Sequence, residues 1–177
     1  FIYVNYPNNP TGAVATAAFY EELVAWAKKY EVGVVSDFAY GALGADGYEN
    51  PSFLSTHGAK DVGIELYTFS KTFNMAGWRL AFAAGNEQLI EALNLLQDHL
   101  FVSIFPAIQD AGAAALLDEK AKAAIAGLNQ KYDERRHAFV QAAEKIGWHA
   151  FESKGAFYAW MPVPEGYDSE SFADLLL

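Results

Sequence analysis

The spacing of short apolar runs constrains this chain more than any other feature. Phe1–Val4 reads as a buried strand, Thr16–Tyr30 as a helix and Val32–Ser36 as a second strand. The second run has no polar alternation, as expected of a parallel strand covered on both faces. Within the helix, Phe19, Leu23, Trp26 and Ala27 recur at helical spacing, and Thr16 stands where an N-cap belongs. Ile64–Phe69 and Leu80–Ala84 read as further strands. Glu87–His99 reads as a helix with Leu89, Ile90, Leu93 and Leu96 on one side. This alternation predicts an α/β fold with a mostly parallel sheet and helices on both faces.

Later in the chain the pattern changes. Ile108–Leu117 is Ala-rich and predicts a buried helix. Lys120–Ile146 predicts one long helix, interrupted only by Gly127, with Lys131, Asp133, Glu134, Arg135 and Arg136 on a solvated face. Trp148–Phe151 and Phe157–Met161 read as two strands around Ser153-Lys154-Gly155. Residues 1–125 are therefore expected to belong to a large domain, and residues 126–177 to a connecting helix and the start of a smaller α+β domain. The chain opens within a strand pattern and closes on Leu175-Leu176-Leu177, in a helix that Asp168 or Ser169 would cap. A fragment of a longer protein is expected.

Composition narrows the classes of function. Hydrophobic residues make up 53% of the 177, ample for a packed core. A net charge of −10 argues against a nucleic-acid or anionic-membrane surface. Without cysteine there is no disulfide or thiolate metal site, and a reducing cytoplasm fits. No apolar run approaches the ~20 residues of a membrane span. His57, His99, His137 and His149 lack metal-ligand spacing. Dinucleotide-binding, Walker and nucleophile-elbow patterns are missing.

Chemistry is concentrated in Thr68-Phe69-Ser70-Lys71-Thr72-Phe73-Asn74-Met75-Ala76-Gly77-Trp78-Arg79. A lysine can hold an aldehyde cofactor as a Schiff base, and hydroxyls with a guanidinium can hold its phosphate. Taken alone, Lys71 and Arg79 read as surface charges, Asp37 as a turn residue and Asn9 as part of an Asn-Pro turn. Two earlier motifs change that reading: Asn9-Pro10-Thr11-Gly12, and Ser36-Asp37-Phe38-Ala39-Tyr40 after the apolar Val34-Val35.

In this order the motifs resemble the pyridoxal-phosphate aminotransferases of fold type I, class I/II, over nearly the whole chain. The resemblance implies pyridoxal 5′-phosphate as cofactor and amino-group transfer between an amino acid and a 2-oxo acid, by a ping-pong mechanism through a Lys71 Schiff base. Lys71 is then the cofactor lysine and the base that moves the α-proton. Asp37 faces the pyridinium nitrogen. Tyr40 and Asn9 bond the cofactor's 3′-oxygen, and Ala39 packs on the ring. Arg79, Ser70 and Thr68 hold the phosphate; the family more often has Ser or Gly where Thr68 stands. Gly155-Ala156-Phe157-Tyr158 matches a small-domain strand of the family. The resemblance also implies a homodimer, with His99, Ser103 and Pro106 near the neighbouring subunit's site, and neither nucleic acid nor membrane as a partner. It puts a Gly-rich phosphate-binding helix start and a ring-stacking aromatic before this segment, and the substrate-carboxylate arginine beyond Leu177.

Two other readings stand beside it. A C–S β-lyase of the same fold keeps the cofactor but changes the reaction; its loop usually departs from Asn-Asn-Pro-Thr-Gly. A non-catalytic module that kept the fold would be marked by loss of Lys71 or Asp37, and both are present.

Overall fold

The computed structural model describes all 177 residues. Its centre is a four-stranded sheet in the order β1-β2-β3-β4: β1 Ile2–Asn5, β2 Val34–Asp37, β3 Gly63–Thr68 and β4 Ala81–Gly85. The first three strands are parallel, and β4 runs antiparallel to β3. The sheet is therefore mixed, within the expected α/β class.

Helix α1, Ala17–Tyr30, starts where Thr16 Oγ1 accepts a hydrogen bond from the Phe19 amide at 3.2 Å. It stops at Glu31, in the left-handed region, whose N–H returns to the Ala27 carbonyl. The helix buries Tyr20, Leu23, Val24 and Ala27 against Val4, Val34 and Phe53. Each fully buried large side chain contributes about 1.5–3 kcal/mol. Phe19 and Trp26, expected on this face, lie to its sides and remain 38% and 43% exposed. The buried stripe keeps the expected Leu23 and Ala27 and has Tyr20 and Val24 in place of Phe19 and Trp26. Tyr20 anchors it, with its ring edge-on to Phe53 at 5.8 Å.

The single turns α2, Ala59–Val62, and α3, Phe69–Thr72, flank β3. Helix α4, Glu87–Leu100, is capped by Asn86, whose side-chain amide also donates to the Lys60 and Asp61 carbonyls of α2. Helices α5, Pro106–Leu117, α6, Glu119–Lys145, and α7, Ser169–Leu176, follow. Residue 126 falls inside α6, which runs unbroken through Gly127. Asp168 and Ser171 form a capping box at the start of α7. No helix is long and apolar enough to cross a membrane.

Three local expectations are corrected. Helix α5 is not buried: only Gly112 is, against Leu80 and Phe69. Its near-uniform apolar composition suggests burial yet marks no face. Arg136 does not lie on a solvated face. Its side chain is 15% exposed and pairs with Asp46 at 2.8 Å and Asp133 at 3.0 Å. Finally, Trp148–Phe151 and Phe157–Met161 form no strands. They share a backbone bond from the Phe151 amide to the Trp160 carbonyl, at 2.9 Å. A two-stranded ribbon is marginal alone, and the intervening backbone bonds elsewhere: Ala45 N–H donates to the Lys154 carbonyl and Ala156 N–H to the Leu43 carbonyl, both at 2.9 Å.

Candidate active site

The register of the sheet assembles the site. Asn5 lies beside Asp37, Asp37 beside Leu66, and Thr68 beside Ala81. Asn5, Asp37 and Thr68 close the three parallel strands at their carboxyl ends. Lys71 follows directly in α3. Because β4 is antiparallel, its first residue returns to the same edge, and Arg79 stands two positions before it. The carboxyl ends of parallel strands form the ligand crevice of α/β sheets. One edge of this sheet thus gathers an amine, a carboxylate, a guanidinium and several hydroxyls.

Asn5 joins two of the motifs. Its amide donates to the Asp37 carbonyl at 3.1 Å, and its side-chain oxygen accepts from the Asn9 amide at 2.9 Å. The Asn9 side chain reaches the Tyr40 hydroxyl at 3.5 Å. The Asp37 carboxylate accepts the Ala39 N–H at 3.2 Å, the only hydrogen bond it makes. Lys71 lies with its Nζ 5.7 Å from the centre of the Tyr40 ring and 5.5 Å from that of Phe157. It forms no ion pair.

Tyr40 is buried, and burial together with the Tyr158 hydroxyl beside it holds its phenol above the ordinary range. The Tyr40 and Tyr158 oxygens are 2.6 Å apart. The Tyr158 segment is clamped from two sides. Gly155 N–H donates to the Gly12 carbonyl at 3.2 Å, and Ala156 bonds Leu43. A Cβ at Gly12 would collide with Ser153, and one at Gly155 with Pro7. Only glycine permits this approach of the segment to the Asn-Pro-Thr-Gly loop.

The residues expected to hold a phosphate are less closely gathered. Thr68 Oγ1 caps α3 by accepting the Ser70 N–H at 3.2 Å. Its own hydroxyl lies 2.9 Å from Ser70 Oγ and 3.3 Å from the Leu80 carbonyl. In the shorter contact Thr68 donates to Ser70 Oγ, which leaves the Ser70 proton for another acceptor. Arg79 is exposed, with φ 53, in the left-handed region uncommon for side-chain-bearing residues. Its Nη1 bonds the Ala76 carbonyl at 3.0 Å, and its other donors have no hydrogen-bond partner.

The donor set suits pyridoxal phosphate. Lys71, Asp37 and Arg79 each keep unused bonding capacity at the same sheet edge, one for an aldehyde, one for a ring N–H and one for a phosphate. A cleft of about 420 Å³ lies beyond Tyr158; Asp46, Arg136, His137, Lys154 and Tyr158 line it, and none of the sequence-predicted residues does. Sequence reasoning missed Asn5, which ties Asn9 to Asp37. It also assigned Phe157 and Tyr158 no place at the site. The signal for the latter was Gly155, a glycine two positions before a pair of aromatics that lets backbone approach backbone.

The model of the family described as aminotransferase class I and II matches residues 1–177. The chain is 57% identical over 176 residues to the L-glutamine–4-(methylsulfanyl)-2-oxobutanoate aminotransferase of Bacillus subtilis (strain 168), covering 99% of this chain and 44% of that protein. It is 45% identical over 176 residues to the LL-diaminopimelate aminotransferase of Moorella thermoacetica, again covering 99% of this chain and 45% of the relative. Among solved structures, substrate-bound BacF from Bacillus subtilis matches with a TM-score of 0.94 at 48% identity, over 99% of this chain and 44% of that one. The chain spans less than half the length of the curated relatives it matches.

Proposed function

Since this chain belongs to the class I and II aminotransferase family, whose members depend on pyridoxal phosphate, we propose that it supplies the cofactor lysine and most cofactor contacts of an amino-acid aminotransferase. The observation that carries this reading is the gathering of Asn9, Asp37, Tyr40 and Lys71 at the carboxyl ends of the parallel strands.

When bound, pyridoxal phosphate supplies an aldehyde for an amine and a ring that takes up the electron pair released at the substrate's α-carbon. Lys71 would hold the cofactor covalently and, once displaced by substrate, carry the α-proton. That second task needs a neutral amine. Lys71 has no carboxylate partner that would have to be given up for this task. Asp37 would keep a proton on the ring nitrogen. Tyr40 and Asn9 would donate to the ring oxygen, and Ala39 would leave room for the ring face. Ser70 and Arg79 would grip the phosphate, with Thr68 orienting Ser70.

The amino donor leaves as a 2-oxo acid before the acceptor binds, so the reaction takes a ping-pong form. Identity is higher to the glutamine–4-(methylsulfanyl)-2-oxobutanoate enzyme than to the diaminopimelate enzyme, 57% against 45%. Glutamine with that oxo acid is therefore the first pair to try. A homodimer is part of the same reading. Leu100, Phe101, Val102 and Phe105 are 63–80% exposed on a segment suited to burial against a second copy.

The test is an assay of the whole protein with pyridoxal phosphate, a panel of amino acids and a panel of 2-oxo acids. Acceptor-dependent formation of a new amino acid is expected. Release of ammonia and a 2-oxo acid without any acceptor would favour the β-lyase.

A further inference from the structure

The Tyr40 hydroxyl has two neighbours of the protein's own: the Asn9 amide at 3.5 Å and the Tyr158 hydroxyl at 2.6 Å. An amide N–H can only donate. The direction of the Tyr40–Tyr158 bond therefore decides what remains for a ligand. If Tyr40 donates to Tyr158, its only proton is used. If Tyr158 donates, the Tyr40 oxygen accepts from two neighbours and its proton points elsewhere. Tyr158 has no other hydrogen-bond partner, so its proton is available for this bond.

Resting on the cofactor site of the preceding section, we propose that Tyr158 is a positioning residue whose hydroxyl donates to Tyr40 and so directs the Tyr40 proton to the ring oxygen of the bound cofactor. The geometry holds Tyr158 to this task. Its segment is bonded to Gly12 on one side and to Leu43 on the other. Its ring stands edge-on to Tyr40, centroids 5.6 Å apart, and packs on Phe157 at 4.8 Å. A hydroxyl that receives a hydrogen bond is a stronger donor in turn. Tyr158 thus acts on the cofactor through Tyr40 without touching it.

The readout is the pH at which the visible absorption band of the covalently held cofactor changes form. Donation to the ring oxygen favours the deprotonated form of that chromophore. In the whole protein loaded with pyridoxal phosphate, Tyr158→Phe keeps the ring packing and removes one oxygen. Its midpoint is expected to rise by roughly half to one pH unit, the worth of one neutral hydrogen bond. Tyr40→Phe is expected to raise the midpoint as well, and the double variant to match Tyr40→Phe alone, because Tyr158 has no route except through Tyr40. An unmoved midpoint in Tyr158→Phe, or shifts that add in the double variant, would overturn the proposal while leaving the cofactor site intact. A wild-type protein that gains no visible band with pyridoxal phosphate would overturn the cofactor site and this proposal together.

Discussion

Lys71, in the turn α3, and Tyr40, in the loop after β2, meet at the end of the sheet, with the lysine Nζ 5.7 Å from the centre of the tyrosine ring. Parallel pairing of β2 and β3 makes the segments after Asp37 and Thr68 neighbours, and each carries one of the two residues. The amine makes no ion pair and is only half-buried, so the fold does not depend on it. Lys71→Ala is expected to change stability by no more than ~0.5 kcal/mol. Transamination should fall by at least the ~10²–10⁴-fold of a lost general base. Cofactor should remain bound without a covalent link, through Ser70 and Arg79. Urea unfolding and an acceptor-dependent assay read the two effects, and wild-type turnover would contradict the role of Lys71.

Arg79 stands apart from this cluster, exposed and bonded only to the Ala76 carbonyl. If its free donors serve a phosphate, Arg79→Ala weakens cofactor affinity by the ~1.5–3 kcal/mol of a charged hydrogen bond, or roughly ten- to a hundred-fold. Equilibrium titration with pyridoxal phosphate measures this. An unchanged dissociation constant would remove Arg79 from the site.

Glu65 makes a prediction about stability and pH. It is 7% exposed in the sheet and accepts from Ser52 Oγ at 2.6 Å, the Phe53 amide at 2.8 Å and Ser36 Oγ at 3.3 Å. Burial nevertheless outweighs these bonds and raises its carboxyl above the usual carboxylate range. A carboxyl raised by folding favours the folded state while protonated. Its contribution is complete below the unfolded-state pKa and is lost as pH rises through the folded one. Glu65→Gln keeps a neutral side chain of similar shape and should remove that dependence. The stability difference between wild type and Glu65→Gln, followed by urea unfolding from pH 4 to pH 7, should shift against wild type as pH rises. A constant difference would show that Glu65 is not raised.

The four strands of the sheet and α1 are legible because period and capping are local: Thr16 caps α1 as its sequence context predicts, and Val34-Val35 sits in a parallel strand. The buried face of α1 is legible only in part: Leu23 and Ala27 lie on it as expected, but the same apolar spacing admits Tyr20 and Val24 in place of Phe19 and Trp26, and Tyr20 packs edge-on to Phe53 from far along the chain. Arg136 reads as a surface charge until the 41–50 loop brings Asp46 against it. The motifs that hold Asn9, Asp37 and Lys71 stand out in the sequence, since each joins particular residue types at fixed spacing. Tyr158 does not, because it reaches Tyr40 through a long-range packing contact that no local pattern encodes.

The central claim is that Lys71 holds pyridoxal phosphate. Borohydride reduction of the whole protein loaded with the cofactor turns a lysine–cofactor link into a permanent mass label. Peptide mapping then assigns it to one lysine. The label is predicted on Lys71, in the peptide that also contains Ser70, and absent from Lys71→Ala. A label on Lys60, Lys154 or any other lysine in place of Lys71, or no label at all, would contradict the account.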